Sequence, residues 1–187
     1  MSLKLFRSTG YHSILTPGEA RLALHPGWAV TIVAGWVGLA SNVWFWQALA
    51  TGGQDALPAA GSALALSGAA GSALSLFGWR RTFKLAATGV LLFGALLAGG
   101  VLTQDIPARQ LADPALRLST LLPTWASLFR WQVPTLLVLL GGIPVIYLWN
   151  VQLRRLAGSE QFRTNLAGLV TWALVFACGF AVLYATA

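Results

Sequence analysis

Residues 27–50 read GWAVTIVAGWVGLASNVWFWQALA, roughly two dozen residues without a charge. At a rise of about 1.5 Å per residue, a helix of that length reaches about 36 Å, more than the ~30 Å hydrocarbon core of a bilayer. Trp28 stands at one end, with Trp44 and Trp46 at the other, where indole rings favour the headgroup level. The stretch is expected to be one uninterrupted transmembrane helix. It is too long for the apolar region of a signal peptide, and it reads as an uncleaved anchor.

The rest of the chain repeats this pattern. Of its 187 residues 57% are hydrophobic and 9% charged, against about 25% charged in a soluble domain, and the mean hydropathy is +0.70. Further spans are expected at about 58–79, 85–102, 133–149 and 166–184, behind a basic tail, 1–26, that carries Lys4, Arg7 and Arg21. Within the tail, Thr16-Pro17-Gly18-Glu19 has capping-box form, and the helix it would open should stop at His25-Pro26. Leu22 and Leu24 are expected on the membrane surface, and His12 and His25 outside the spans. Asp113-Pro114 reads as a cap and first-turn proline. Leu121, Trp125, Leu128 and Phe129 follow at helical spacing, so interfacial helices are expected over about 114–131. Gly141, Gly142 and Pro144 should kink the fourth span, because Pro144 has no N–H for the Leu140 carbonyl.

The fold class expected is all-α, a polytopic helical bundle with five transmembrane helices. With the N-terminus in the cytoplasm, the inner segments hold Lys4, Arg7, Arg21, Arg80, Arg81, Lys84, Arg154, Arg155 and Arg163. The outer ones hold Arg109, Arg117 and Arg130. This bias places the C-terminus in the periplasm. It also accounts for the net charge of +7 without a nucleic-acid partner.

Chemistry is sparse. No expected span carries an ionisable side chain away from its ends, which argues against an ion-coupled pump. No spacing of His, Cys or carboxylates suits a metal, and no cofactor motif occurs. The single cysteine, Cys178, lies in an apolar run and reads as a small core residue. Asn42 and Gln47, near the outer end of the first span, are candidates for bonding a neighbouring helix or a lipid headgroup. Arg109, Arg117 and Arg130 are candidates for anionic headgroups or for snorkelling. Gly61, Ala65, Gly68, Ser72 and Ser75 share one face of the second span, a small-residue stripe suited to close packing within the bundle or to self-association.

Three stretches carry a resemblance: Ser41-Asn42-Val43-Trp44-Phe45-Trp46-Gln47-Ala48-Leu49, Leu76-Phe77-Gly78-Trp79-Arg80-Arg81-Thr82-Phe83-Lys84, and Gly142-Ile143-Pro144 with the Arg154-Arg155 loop. Together with the five-span layout, the chain resembles the N-terminal membrane domain of the lipid A phosphoethanolamine transferases. The resemblance implies a bacterial inner-membrane protein. In that family the membrane domain anchors a periplasmic catalytic domain, which moves phosphoethanolamine from phosphatidylethanolamine to lipid A through a threonine nucleophile and zinc. The nucleophile and zinc ligands belong to the catalytic domain, so no residue of this chain takes those roles. The family's substrate-binding Asn, Thr and Glu after the third span align with Ala108, Ala112 and Leu116 here, a departure from the pattern.

Three readings follow. The chain is a membrane anchor of this type without catalysis of its own, or it positions lipid for a separate catalytic subunit, or it is an unrelated membrane scaffold. Membrane lipids and a periplasmic or membrane protein are the partners expected.

Overall fold

The computed structural model describes residues 23–186 apart from 54 and 155, with the backbone but not the side chains of residues 23, 80 and 81. Lys4, Arg7, His12, Arg21, Leu22, Arg155 and the capping box at Thr16 to Glu19 lie outside the described residues.

A two-residue strand, β1 (Ala23–Leu24), leads into α1 (Pro26–Ala40), whose last turn is π-helical. After a break come α2 (Val43–Ala50), α3 (Ala56–Leu76), α4 (Arg80–Gln104) and α5 (Gln132–Asn150). The short strand β2 (Gln152–Leu153) and the long helix α6 (Gly158–Ala185) complete the order. α3, α4, α5 and α6 are each long and apolar enough to cross a membrane, and the bent α1–α2 pair makes a fifth if counted as one span. The chain passes back and forth, so one end of the bundle carries His25 and the α5–α6 connection. The opposite end carries Asp55 and residues 105–131.

The helix expected to stop at His25-Pro26 lies outside the described residues, and two other expectations around the first apolar stretch are corrected. His25-Pro26 opens α1. His25 Nδ1 accepts from the Gly27 N–H at 3.2 Å and Pro26 takes the first helical position, where a missing N–H costs nothing. Leu24, expected on the membrane surface, pairs in parallel with Leu153 and packs on the core, while the Arg154 N–H donates to its carbonyl at 2.9 Å. The stretch is also not one rod. It bends by 49° at Ser41-Asn42. Asn42 is extended and caps α2, its Oδ1 accepting from the Phe45 N–H at 3.2 Å. An asparagine at that position offers the backbone an alternative to the continuous ladder.

The small-residue stripe faces α6, and the α3–α6 contact is the most extensive between helices. A Cβ added at Gly68 would overlap the Phe176 backbone, and one at Gly71 would enter the Trp172 ring. One at Gly61 would lie 3.0 Å from Leu183 Cγ, and one at Gly179 would overlap the Ala65 N–H. Ala65 and Ser75 are buried between the two helices. With little side-chain bulk between them, the backbones approach closely.

A core of Val33, Leu74, Phe83 and Leu91 joins α1, α3 and α4. The kink expected at Pro144 is taken up inside α5 as a π-helical stretch, Leu137–Gly142. The Leu140 carbonyl, which Pro144 cannot serve, accepts from the Trp36 indole at 3.0 Å. Cys178, expected in the core, lies instead on the exposed face of α6. The expected interfacial helices are two single turns, Leu118–Leu121 and Trp125–Leu128, separated at Pro123, which cannot donate to a helical ladder. Leu121 is buried against the α4 end, while Trp125, Phe129 and Trp131 are exposed. Asp113 does not cap a helix. Its Oδ1 accepts from the Ala115 N–H at 2.8 Å and closes a turn.

Candidate functional site

At the Asp55 end, a groove of about 730 Å³ lies between α2, the start of α3 and the segment after α4. Each wall is fixed by a local cause. α2 contributes Trp44 and Gln47 because the break at Asn42 re-aims it. Asn42 itself sits below the groove, 1% exposed. Its Nδ2 donates to Ser62 Oγ at 3.0 Å, and that hydroxyl donates onward to the Ala59 carbonyl at 2.7 Å. Of the two roles considered for Asn42, bonding a neighbouring helix is the one its amide makes here, with helix capping at its other end.

The second wall starts at Asp55, which follows a turn through Gly52 and Gly53. Both have φ in the left-handed region, +74° and +87°, where an L side chain is strained. The third wall begins where α4 ends. Asp105 terminates that helix in the left-handed conformation, φ 53° and ψ 46°, the one non-glycine residue with positive φ among those described. Aspartate is several-fold enriched among the non-glycine residues found in this region. The following carbonyl, Ile106, accepts from the Trp44 indole at 2.6 Å, which ties the segment to α2. Pro107 then starts a 3₁₀ turn, Ala108–Ala112, that carries Arg109.

Arg109 Nη2 meets Asp55 Oδ1 at 3.0 Å, with both side chains about 60% exposed (61% and 58%). An exposed pair of this kind contributes at most about 1 kcal/mol, so a phosphate can take the place of Asp55 at small cost. Asp105 is exposed, and its carboxylate has no partner among the described residues. The groove thus offers a weakly held guanidinium, an uncommitted carboxylate, the Gln47 amide and an aromatic wall. A small group bearing one negative and one positive charge fits that set.

Of the residues singled out from sequence, Gln47 and Arg109 come together here. Arg117 and Arg130 are exposed on the 105–131 segment but do not line the groove. Ala108 lines it, and Leu116 packs against the cluster around Trp44. Sequence reasoning missed Asp55 and Asp105. The available signal was their charge: two of only five acids in the chain fall in the two turns that flank Gln47 and Arg109. Among the described residues no three His, Cys, Asp or Glu side chains converge as a metal site would require. Comparison with protein-family models, with curated proteins and with solved structures gives no match.

Proposed function

We propose that this chain is a multi-pass domain of a bacterial inner membrane that holds the zwitterionic headgroup of a phospholipid in the Asp55-end groove. The N-terminus lies in the cytoplasm and the groove faces the periplasm, an orientation supported by the excess of Lys and Arg at the His25 end. The observation that carries the reading is the placement of Arg109 and Asp105 on one groove wall beside Gln47. The guanidinium takes the phosphate and the carboxylate takes the ammonium, as phosphoethanolamine requires. The resemblance to the membrane domain of phosphoethanolamine transferases supports the same ligand. On this reading the chain anchors and presents lipid, and the transfer chemistry belongs to a periplasmic partner.

The test is native mass spectrometry of the purified protein in nanodiscs that contain phosphatidylethanolamine and phosphatidylglycerol. Phosphatidylethanolamine is expected to be retained preferentially. Arg109→Gln and Asp105→Asn should each weaken retention at least about tenfold, the worth of roughly one charge-assisted hydrogen bond. Equal retention of both lipids, or unchanged retention in both variants, overturns the proposal. A phosphatase reporter fused after Ala187 should be active only in the periplasm, and a cytoplasmic signal would reverse the orientation.

A further inference from the structure

A second cavity, of about 420 Å³, opens between α1 and α6 at the His25 end, far from the groove. Its walls carry the side chains of Thr31, Ser75, Thr164, Asn165 and Thr171, with His25 among the lining residues. Gly168 makes the room, since a Cβ there would stand 2.8 Å from the Ser75 hydroxyl. Among the described residues no carboxylate, ammonium or guanidinium lines the space.

The hydrogen-bonding groups divide into two kinds. Thr31, Thr164 and Ser75 donate their protons to carbonyls of their own helices, at 3.1, 2.9 and 2.7 Å. Their oxygens therefore keep lone pairs to accept with. Asn165 Oδ1 accepts from Gln161 Nε2 at 2.8 Å, and the Asn165 NH₂ and the Thr171 hydroxyl have no partner among the described residues. His25 Nδ1 accepts from the Gly27 N–H, which places the proton of the neutral ring on Nε2, a further donor. The described lining thus offers both acceptors and donors and no fixed charge.

Depth points the same way. Along α6, Thr171 lies about 8 Å beyond Leu166, where the apolar run begins, while Thr164 precedes it. The cavity reaches from the membrane surface into the apolar zone, the level of glycerol and ester groups, and the exposed Trp28 ring stands on its rim. A phosphate drawn into this uncharged space would lose its hydration without a counter-charge.

We infer that this cavity binds an uncharged glycerolipid with a free hydroxyl, of the diacylglycerol class, which enters sideways between α1 and α6. The ester carbonyls accept from Asn165, Thr171 and His25. The lipid hydroxyl donates to the oxygens of Thr31, Thr164 or Ser75. The site is independent of the headgroup groove and stands or falls separately.

The experiment uses the full chain in detergent micelles with radiolabelled dioleoylglycerol as the probe. One saturable equivalent per chain is expected, competed by unlabelled dioleoylglycerol at about tenfold lower concentration than by phosphatidylethanolamine or phosphatidylglycerol. Gly168→Val should fill the cavity and abolish retention. Thr171→Val, an exposed change of equal size that leaves the fold intact even if Gly168→Val does not, should weaken retention about fivefold. Absence of saturable binding, equal competition by the phospholipids, or wild-type retention by Thr171→Val each overturns the assignment.

Discussion

Where α3 meets α6, two helices touch backbone to backbone through Gly61, Gly68 and Gly179, while Gly71 receives the Trp172 ring. Where α1 meets α5, the helices stand apart across an apolar space of about 290 Å³ lined by Val33, Tyr147 and Leu148. There a single indole, Trp36, reaches across to the Leu140 carbonyl. In a lipid-like surrounding neither contact gains from expelling water, so each relies on another force. The first relies on many short-range dispersion contacts, which leave no space for an added carbon. The second relies on one directed bond to a carbonyl that a proline has left unserved, and it tolerates variation in shape around it. The two contacts should therefore fail in different ways.

Gly68→Leu breaks the first. The new side chain collides with the Phe176 backbone, which cannot swing aside, and the expected cost is about 3 kcal/mol or more. Titration with sodium dodecyl sulfate in mixed micelles, followed by circular dichroism, would show it as loss of the folded baseline. A wild-type transition would mean that α6 does not pack on this face. Asn42→Leu comes next, because it removes the cap of α2 and the bond to Ser62 together, at about 1–2 kcal/mol. The same titration should move to a lower midpoint with its steepness retained.

Trp36→Phe tests the second contact directly. It keeps an aromatic ring but deletes the one side-chain donor to the Leu140 carbonyl among the described residues, at about 0.6–1 kcal/mol, a modest shift of midpoint. A shift as large as that of Gly68→Leu would erase the distinction between the two contacts. Asp55→Ala should do least to stability, within about 0.5 kcal/mol, because the pair with Arg109 is exposed. The same variant frees the guanidinium and should raise retention of phosphatidylethanolamine measured by native mass spectrometry.

The apolar helices were legible because their lengths exceed what a soluble core helix needs; α4, α5 and α6 cover the last three expected stretches, and α3, which ends at Leu76, covers 58–79 but for its final three residues. The small-residue face of α3 was legible as a face, but its neighbour was not, since nothing local in residues 61–75 says which helix will lie on it. The break at Ser41-Asn42 was hidden because an apolar run of span length outweighs one capping residue when the run is read as a whole. The start of α1 at Pro26 rests on a similar local device: proline both ends helices and begins them, and His25 opens this one through its own side-chain bond. The groove was half visible. Gln47 and Arg109 stood out as polar groups beside apolar runs, but they are 62 residues apart. Their meeting depends on the left-handed turn at Asp105, and nothing in the adjacent sequence demands that turn.

The pairing of α3 with α6 also has a bearing on how the chain is made. Gly68 and Phe176 are separated by 108 positions (176 − 68). At a synthesis rate of about 5–20 residues per second, the stripe leaves the ribosome roughly 5–20 s before its cover. During that interval its buried glycines and serines must rest against lipid or against the insertion machinery. A stalled chain that ends before residue 158 would present this face to every neighbour in the membrane, which makes it the natural handle for quality control to seize.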